Sequence, residues 1–145
     1  MATHREREIE VKVMCVIKHD GKLLLSEGRD EMTGELFYRF LSGSLEFGEA
    51  LEDGVRREMR EELQCEIENL TLLRVIESIF TFEGQKRHQL VFLYQCDLKN
   101  HDLYNQPTIH IVENTYAFDA KWIPIHEIKN GHVPLYPKYN YSELF

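Results

Sequence analysis

Apolar residues recur at every fourth position within residues 50–63, a spacing that predicts an amphipathic helix of about 14 residues. At 100° per residue, Glu58, Glu61 and Glu62 fall within one sector of roughly 100° on the polar side of this helix. The apolar stripe consists of Leu51, Val55, Met59 and Leu63. The pattern therefore predicts one long helix that carries three converging carboxylates.

The rest of the pattern predicts extended segments separated by turns, with a single helical turn near the end. Asp20-Gly21 is a strong hairpin signal, so we expect the first two strands to pair with each other. Glu83-Gly84-Gln85 is expected to close a second hairpin, and the strand that follows it is apolar enough to lie centrally in a sheet. The predicted strands are residues 9–17, 22–25, 37–41, 70–82, 89–96 and 121–125, and the helical turn is residues 126–129.

Length and composition fit one globular domain. The chain has 145 residues, 43% hydrophobic and 29% charged, and no repeat or linker divides it. We therefore expect a single domain over residues 1–145, with residues 1–8 as a candidate flexible segment. No apolar run approaches the 18 or so residues of a membrane span, and the charged start is not signal-like, so a cytoplasmic protein is expected. Cys15, Cys65 and Cys96 lie far apart, which favours buried free thiols over disulfides or zinc ligands.

The formal net charge of −8 argues against a nucleic-acid polymer as partner, because phosphate contacts along a polymer need a basic surface. A small anionic substrate is still compatible with this charge. Such a substrate would have to be brought into an acidic site by cations.

The three helix carboxylates admit two interpretations. An acidic helix face is most often a solvated surface, whose ion pairs are each worth only a few tenths of a kcal/mol. Three groups of the same sign in one sector repel one another, however, and this costs stability unless a cation neutralises them. Oxygen ligands at this spacing suit Mg²⁺, which keeps other positions for water and substrate phosphates.

The glycine-containing loop before the helix favours the second interpretation. Together, loop and helix read GSLEFGEALEDGVRREMREELQC over residues 43–65, and this segment resembles the signature of the MutT-like Nudix hydrolases. A chance match to its polar positions is on the order of one in ten thousand. Gln64 departs from the family pattern, since glycine usually stands there and ends the helix in a left-handed conformation; Leu41-Ser42 also replaces the frequent Pro-Gly. The signature positions are filled by Gly43, Glu49, Arg57, Glu58, Met59, Glu61, Glu62 and Cys65.

The resemblance implies a fold and a reaction. Nudix proteins fold as an α/β/α sandwich around a mixed β-sheet, here with one long catalytic helix at about residues 50–63 and a thin second layer. They use Mg²⁺, for which Mn²⁺ can substitute, to hydrolyse a phosphoanhydride in a nucleoside diphosphate linked to another moiety, giving NMP and phospho-X. The motif alone does not distinguish nucleoside triphosphates, nucleotide sugars such as ADP-ribose and dinucleoside polyphosphates.

The resemblance also divides the motif between two tasks, metal binding and support of the loop. The implied metal ligands are Glu58, Glu62, Glu61 (directly or through water) and the carbonyl of Gly43. Support is assigned to Arg57 and Glu49, with Gly48 in the turn between them. Arg57, Glu58 and Glu61 thereby count among the catalytic residues.

Residues outside the motif supply further candidates. Family members take the general base either from the motif or from a late loop, and here Glu113 is the first late candidate and Asp119 the second. Arg29 and Arg39 flank the loop and can reach substrate phosphates, although exposed arginines without such a role are equally frequent. Aromatic residues that can stack on a base, but more often pack in a core, are Phe37, Tyr38, Phe80, Phe82 and Tyr116.

Two alternatives from other classes stay open. The first is a non-hydrolytic Nudix-like module that binds a nucleotide for regulation, for which loss of motif carboxylates would be expected. The second is an interaction domain whose acidic helix binds a basic partner. A homodimer is compatible with either an enzyme or a binding module.

Overall fold

The computed structural model describes residues 7–145; residues 1–6, part of the predicted flexible segment, lie outside the described residues. Nine strands of the described chain form one sheet, and two α-helices and a 3-10 helix accompany them. The strands are β1 Ile9–Val16, β2 Lys18–His19, β3 Lys22–Arg29, β4 Leu36–Ser44, β5 Ile67–Phe82, β6 Gln85–Leu98, β7 Thr108–Glu113, β8 Tyr116–Pro124 and β9 Leu135–Tyr136. The helices are α1 Leu51–Leu63 and α2 Ile125–Lys129, and the 3-10 helix is His101–Asn105.

The sheet is mixed, with the main strand order β5-β6-β1-β4-β3-β8-β7. Strand β1 pairs in parallel with β6 and antiparallel with β4, so it lies in the interior of the sheet. Short β2 pairs with β3, and β9 pairs in parallel with β4. The predicted mixed sheet is therefore confirmed.

The prediction that the first two strands pair with each other is wrong for β1. The turn at Asp20-Gly21 is present, with left-handed φ values of +50° and +71°, but it joins only β2 to β3. A two-residue turn fixes the pairing of the residues next to it. Strand β1 is apolar and buried from Val13 onward, and distant β4 and β6 cover both its edges.

The second hairpin is confirmed. Glu83 and Gly84, with φ values of +51° and +79°, connect β5 to β6. Strand β6 lies between β5 and β1, an interior position that suits its apolar sequence. Strands β2, β7 and β9 and the 3-10 helix were not predicted. In β7, Ile109 and Ile111 are buried between exposed neighbours, a period-two pattern too short to stand out in the sequence.

Two apolar clusters lie on opposite faces of the sheet, because alternate residues of β1 contribute to each. The first cluster includes Val55, Met59 and Leu63 of α1, each at most 6% exposed, so this stripe anchors the helix to the sheet. Burial of each such side chain stabilises the fold by about 1.5–3 kcal/mol. The second cluster is covered by Ile125 and Ile128 of α2 and by the C-terminal segment. The fold is thus an α/β/α sandwich with a thin second layer, as predicted.

Helix α1 begins one residue later than predicted and ends at Gln64 in the left-handed conformation, with φ +52° and ψ +42°. The Gln64 N–H donates to the carbonyl of Arg60 at 2.9 Å, which satisfies one of the last helix acceptors. The chain therefore keeps the geometry of a glycine helix end with a glutamine in place. A residue with a Cβ pays roughly 1–2 kcal/mol for this conformation.

Two further sequence predictions concern chemistry and location. Cys15, Cys65 and Cys96 are free and buried, as expected. Within residues 7–145, no helix combines the length and the apolar character that crossing a membrane requires. The cytoplasmic location stays a prediction.

Candidate functional site

Helix α1 and strand β7 bring four glutamates together. Glu58 and Glu62 are 4% and 7% exposed, whereas Glu61 lies near the helix surface. Glu113, the last residue of β7, arrives opposite the helix just before the turn at Asn114. One carboxylate oxygen each from Glu58, Glu61 and Glu113 lie within 4.8 Å of one another, which is a spacing that one cation can bridge.

The buried carboxylates of this cluster are only partly compensated by neighbouring groups. Burial, helped by the neighbouring Glu113 and Glu61, raises the pKa of Glu58 to about 7 against the opposing effect of Arg57. Burial likewise raises the pKa of Glu62 well above its ordinary value, and the other three glutamates add to this effect. Glu58 Oε2 and Glu62 Oε1 are buried without a hydrogen-bond partner.

These two orphaned oxygens provide a test of whether the residues suit a divalent cation. A buried carboxylate oxygen without a partner destabilises the folded protein, and a bound cation offsets this destabilisation. All the donors are hard oxygens, which fit Mg²⁺ or Mn²⁺ better than a thiol- and imidazole-seeking metal. The side chains of the cluster therefore fit a divalent metal.

Gly43 is required by the close approach of Glu58 to the backbone of β4. A Cβ placed on Gly43 would lie 1.8 Å from Glu58 Cδ and 2.0 Å from Glu58 Oε1, far inside any tolerated contact. Only glycine therefore allows the Glu58 carboxylate to occupy this position. The predicted role of the Gly43 carbonyl as a metal ligand stays a prediction.

Arg57 connects the loop before the helix to the carboxylate cluster. Its Nε and one terminal nitrogen donate to the two oxygens of Glu49 at 2.7 and 2.9 Å, a bidentate pair. The other terminal nitrogen donates to Glu58 at 2.7 Å and Glu61 at 3.3 Å, and the carbonyl of Ser44 accepts a further bond at 3.0 Å. One guanidinium thus ties β4, the loop and the helix to each other.

The loop itself depends on a tight turn. Gly48 has φ +82°, a conformation that glycine adopts without strain, and the Glu49 N–H donates to the carbonyl of Glu46 at 3.0 Å. Glu49 Oε1 in turn accepts a bond from the Glu46 N–H at 3.2 Å. The turn thereby directs Glu49 toward Arg57.

The carboxylate cluster forms one wall of an open cavity of about 630 Å³. That volume suits a nucleotide-sized ligand. Four aromatic side chains foreseen as stacking candidates line the cavity, and Phe37 and Phe82 meet edge to face at 5.6 Å. Tyr38 does not line it; its hydroxyl donates to Glu27 at 2.9 Å. The lining aromatics are Phe37, Phe80, Phe82 and Tyr116.

Both predicted substrate-binding arginines line the cavity as well. Arg29 donates to the carbonyl of Gly34 at 2.5 Å, whereas the Arg39 guanidinium lies over the ring of Phe37 at 5.2 Å. Asp119, the second candidate for the base, does not belong to the lining; it pairs with His110 across β7 and β8 at 2.9 Å.

The polar residues that line the cavity and were not foreseen include Lys12, Arg87 and Gln89. Lys12 gave a signal in the sequence, because a lysine within the apolar strand of residues 9–17 needs a polar surface or partner. Arg87 and Gln89 gave no comparable signal, since charged residues are ordinary at the start of a strand.

These features define a class of protein, in which a mixed sheet presents a loop and an acidic helix to a nucleotide-sized cavity. The family profile described as NUDIX domain matches residues 7–140. The match covers most of the chain, and the chain belongs to the NUDIX family.

Solved structures with the same fold include two bacterial NUDIX proteins. A NUDIX hydrolase from Nitrosomonas europaea aligns with a TM-score of 0.63 and 24% identity over 86% of this chain and 78% of its own. A MutT NUDIX hydrolase from Burkholderia pseudomallei aligns with a TM-score of 0.56 and 23% identity over 83% and 86%. A third protein, described as an ADP compounds hydrolase, gives 0.54 and 20% over 86% of this chain and 63% of its own.

Proposed function

We propose that the protein is a metal-dependent pyrophosphohydrolase, which hydrolyses a phosphoanhydride in a nucleoside diphosphate linked to another moiety. The observation that carries the proposal is the convergence of Glu58, Glu61 and Glu113, whose oxygens lie within 4.8 Å of one another beside buried Glu62. Such a cluster is costly as a structural element, because two of its buried oxygens, Glu58 Oε2 and Glu62 Oε1, have no hydrogen-bond partner. It becomes favourable when a cation and a phosphate chain occupy the adjoining cavity.

In the proposed reaction, NDP-X and water give NMP and phospho-X. The water oxygen forms a bond to one phosphorus, the bridging oxygen leaves with the other, and one proton is released. A bound Mg²⁺ or Mn²⁺ would supply neutralisation of charge on the non-bridging phosphate oxygens. Glu58, Glu61, Glu62 and the Gly43 carbonyl would hold the ion.

The residues around the cluster position it. Arg57 and Glu49 hold the glycine loop against the helix, so the separation between Gly43 and Glu58 is fixed before substrate binds. Such preorganisation matters because phosphoryl transfer is catalysed mainly by positioning and charge stabilisation. We assign Arg57 and Glu49 this positioning role.

We propose Glu113 as the general base, because its carboxylate faces the cavity next to Glu58 and Glu61. It would accept the proton of the attacking water. Replacement of Glu113 by glutamine keeps the shape and removes the basic oxygen. A fall in turnover of less than about tenfold would count against this role.

The reaction class is tested by a hydrolysis screen with Mg²⁺ and with Mn²⁺ across nucleoside triphosphates, nucleotide sugars and dinucleoside polyphosphates. Glu62→Gln is the test variant, and Glu52→Gln, on the exposed first turn of the same helix, is the matched control. We expect turnover by the wild type and Glu52→Gln, and a loss of at least about 100-fold in Glu62→Gln. No turnover of any phosphoanhydride, or an equally active Glu62→Gln, would refute the proposal. Metal-dependent nucleotide binding without turnover would identify the regulatory module instead.

Mn²⁺ binding gives a readout that is independent of activity. Titration of the metal without substrate, followed by calorimetry, is expected to show binding to the wild type and weaker binding to Glu62→Gln. The cluster of glutamates, rather than the substrate, then accounts for the affinity.

A further inference from the structure

Three cationic side chains line the same cavity as the glutamates. Lys12, Arg39 and Arg87 come from β1, β4 and β6, which are neighbours in the sheet, and all three line the cavity that the carboxylate cluster enters. We call these three side chains the cation wall. The cavity is thus lined both by carboxylates and by cations.

The cation wall is only partly neutralised by the protein. Arg87 donates through Nε and a terminal nitrogen to the same oxygen of Glu10, at 3.0 and 2.8 Å. Lys12 donates to Ser44 Oγ at 2.8 Å and lies 3.8 Å from the other oxygen of Glu10. Among residues 7–145, the guanidinium of Arg39 has no hydrogen bond or ion pair, and it lies over the ring of Phe37 at 5.2 Å.

The three cations therefore affect one another. Burial lowers the pKa of Lys12, and Arg39 and Arg87 lower it further against the effect of Glu10. Burial and the charge of Arg87 also lower the pKa of Arg39 against the opposing effect of Glu10. An arrangement of this kind costs stability in the free protein and is relieved by a bound anion.

We infer that the cation wall binds the distal phosphates of the substrate and that the preferred substrate class is the nucleoside 5′-triphosphate rather than the nucleotide sugar. This inference rests on the proposed function. A terminal phosphate carries nearly two negative charges and three acceptor oxygens, which match several cationic donors. The terminal sugar of an ADP-ribose-like substrate is uncharged and would leave Arg39 without a partner. For a triphosphate, the hydrolysis gives NMP and pyrophosphate.

Binding tests the inference directly. Calorimetry compares a non-cleavable α,β-methylene triphosphate with the nucleotide sugar of the same base, in an adenine and a guanine series. Arg39→Gln is expected to weaken triphosphate binding by about 10- to 100-fold, the range for a lost charged hydrogen bond. Binding of the nucleotide sugar is expected to change by less than about threefold.

Two further variants separate a specific contact from a general effect. Lys86→Gln removes the same charge from β6 one residue before Arg87, and Lys86 is exposed outside the cavity, so both affinities should stay within about twofold. Arg39→Lys keeps a positive charge and is expected to restore part of the triphosphate affinity. It also serves as the folding control for the position.

The result can be told apart from a failure of the proposed function. If the protein shows no hydrolysis at all, and its affinity for the triphosphate still depends on Arg39, then the proposed reaction is wrong and the role of the cation wall stands. If it hydrolyses phosphoanhydrides but prefers the nucleotide sugar, or if Arg39→Gln weakens both ligands equally, the reaction stands and this inference is overturned.

Discussion

The buried carboxyl group of Glu58 makes a quantitative prediction about stability and pH. The folded protein holds the pKa of this carboxyl at about 7, against 4.5 as its ordinary value, because burial outweighs the effect of Arg57. Since the pKa is raised on folding, the protonated group favours the folded state. Its contribution is fully present below pH 4.5 and is lost as the pH rises to about 7.

The size of the contribution follows from the two values. At 1.36 kcal/mol per pH unit, the difference between 4.5 and about 7 corresponds to about 3 kcal/mol of unfolding free energy. Glu62, buried beside Glu58, acts in the same direction. Glu10, Glu27 and Glu49 have lowered pKa values and act in the opposite direction, so the raw profile of the wild type mixes both effects.

The measurement is therefore a difference between two proteins. Urea unfolding of the wild type and Glu58→Gln is followed from pH 4.5 to 7.5 in the presence of a chelator. The wild type is expected to lose about 3 kcal/mol relative to Glu58→Gln over this range. Saturating Mn²⁺ is expected to return much of the loss to the wild type and little to the variant, because a bound cation replaces the proton. Glu52→Gln, on the exposed first turn, should follow the wild type.

A constant difference between the wild type and Glu58→Gln across this pH range would refute the reasoning. It would mean that the Glu58 carboxyl is hydrated or compensated. Relief of its burial cost would then contribute nothing to metal binding.

Three further predictions concern the geometry around the helix. Gly43→Ala places a Cβ against Glu58, so the rate of phosphoanhydride hydrolysis is expected to fall about 100-fold or more, and unchanged kinetics would contradict the close contact between Gly43 and Glu58. Gln64→Gly relieves the backbone strain of the left-handed helix end. It should raise the unfolding free energy by about 1 kcal/mol and the melting temperature by about 2–4 °C. Gln64→Ala keeps a Cβ at this position and should leave both quantities unchanged. Arg57→Lys keeps the charge but loses the bidentate bonds to Glu49, so we expect a loss of about 1–3 kcal/mol in urea unfolding; a loss below about 0.5 kcal/mol would show that charge alone suffices.

Local sequence patterns were sufficient to predict those elements whose structure depends mainly on their own residues. The four-residue apolar period located α1 to within one residue, because the same stripe that defines the period is the one buried against the sheet. The Glu83-Gly84 turn was likewise visible, since its left-handed φ values favour such residues. Strand pairing was not determined in this way, and β1 pairs with strands distant in the sequence.

The site shows the same division. The sequence by itself determined the convergence of Glu58, Glu61 and Glu62, because helix periodicity fixes their angles regardless of the rest of the fold. Only the tertiary structure brought Glu113 to them from β7, and only it placed Lys12 and Arg87 in the lining of the same cavity. These residues meet through long-range pairing of strands, which no local period or motif encodes.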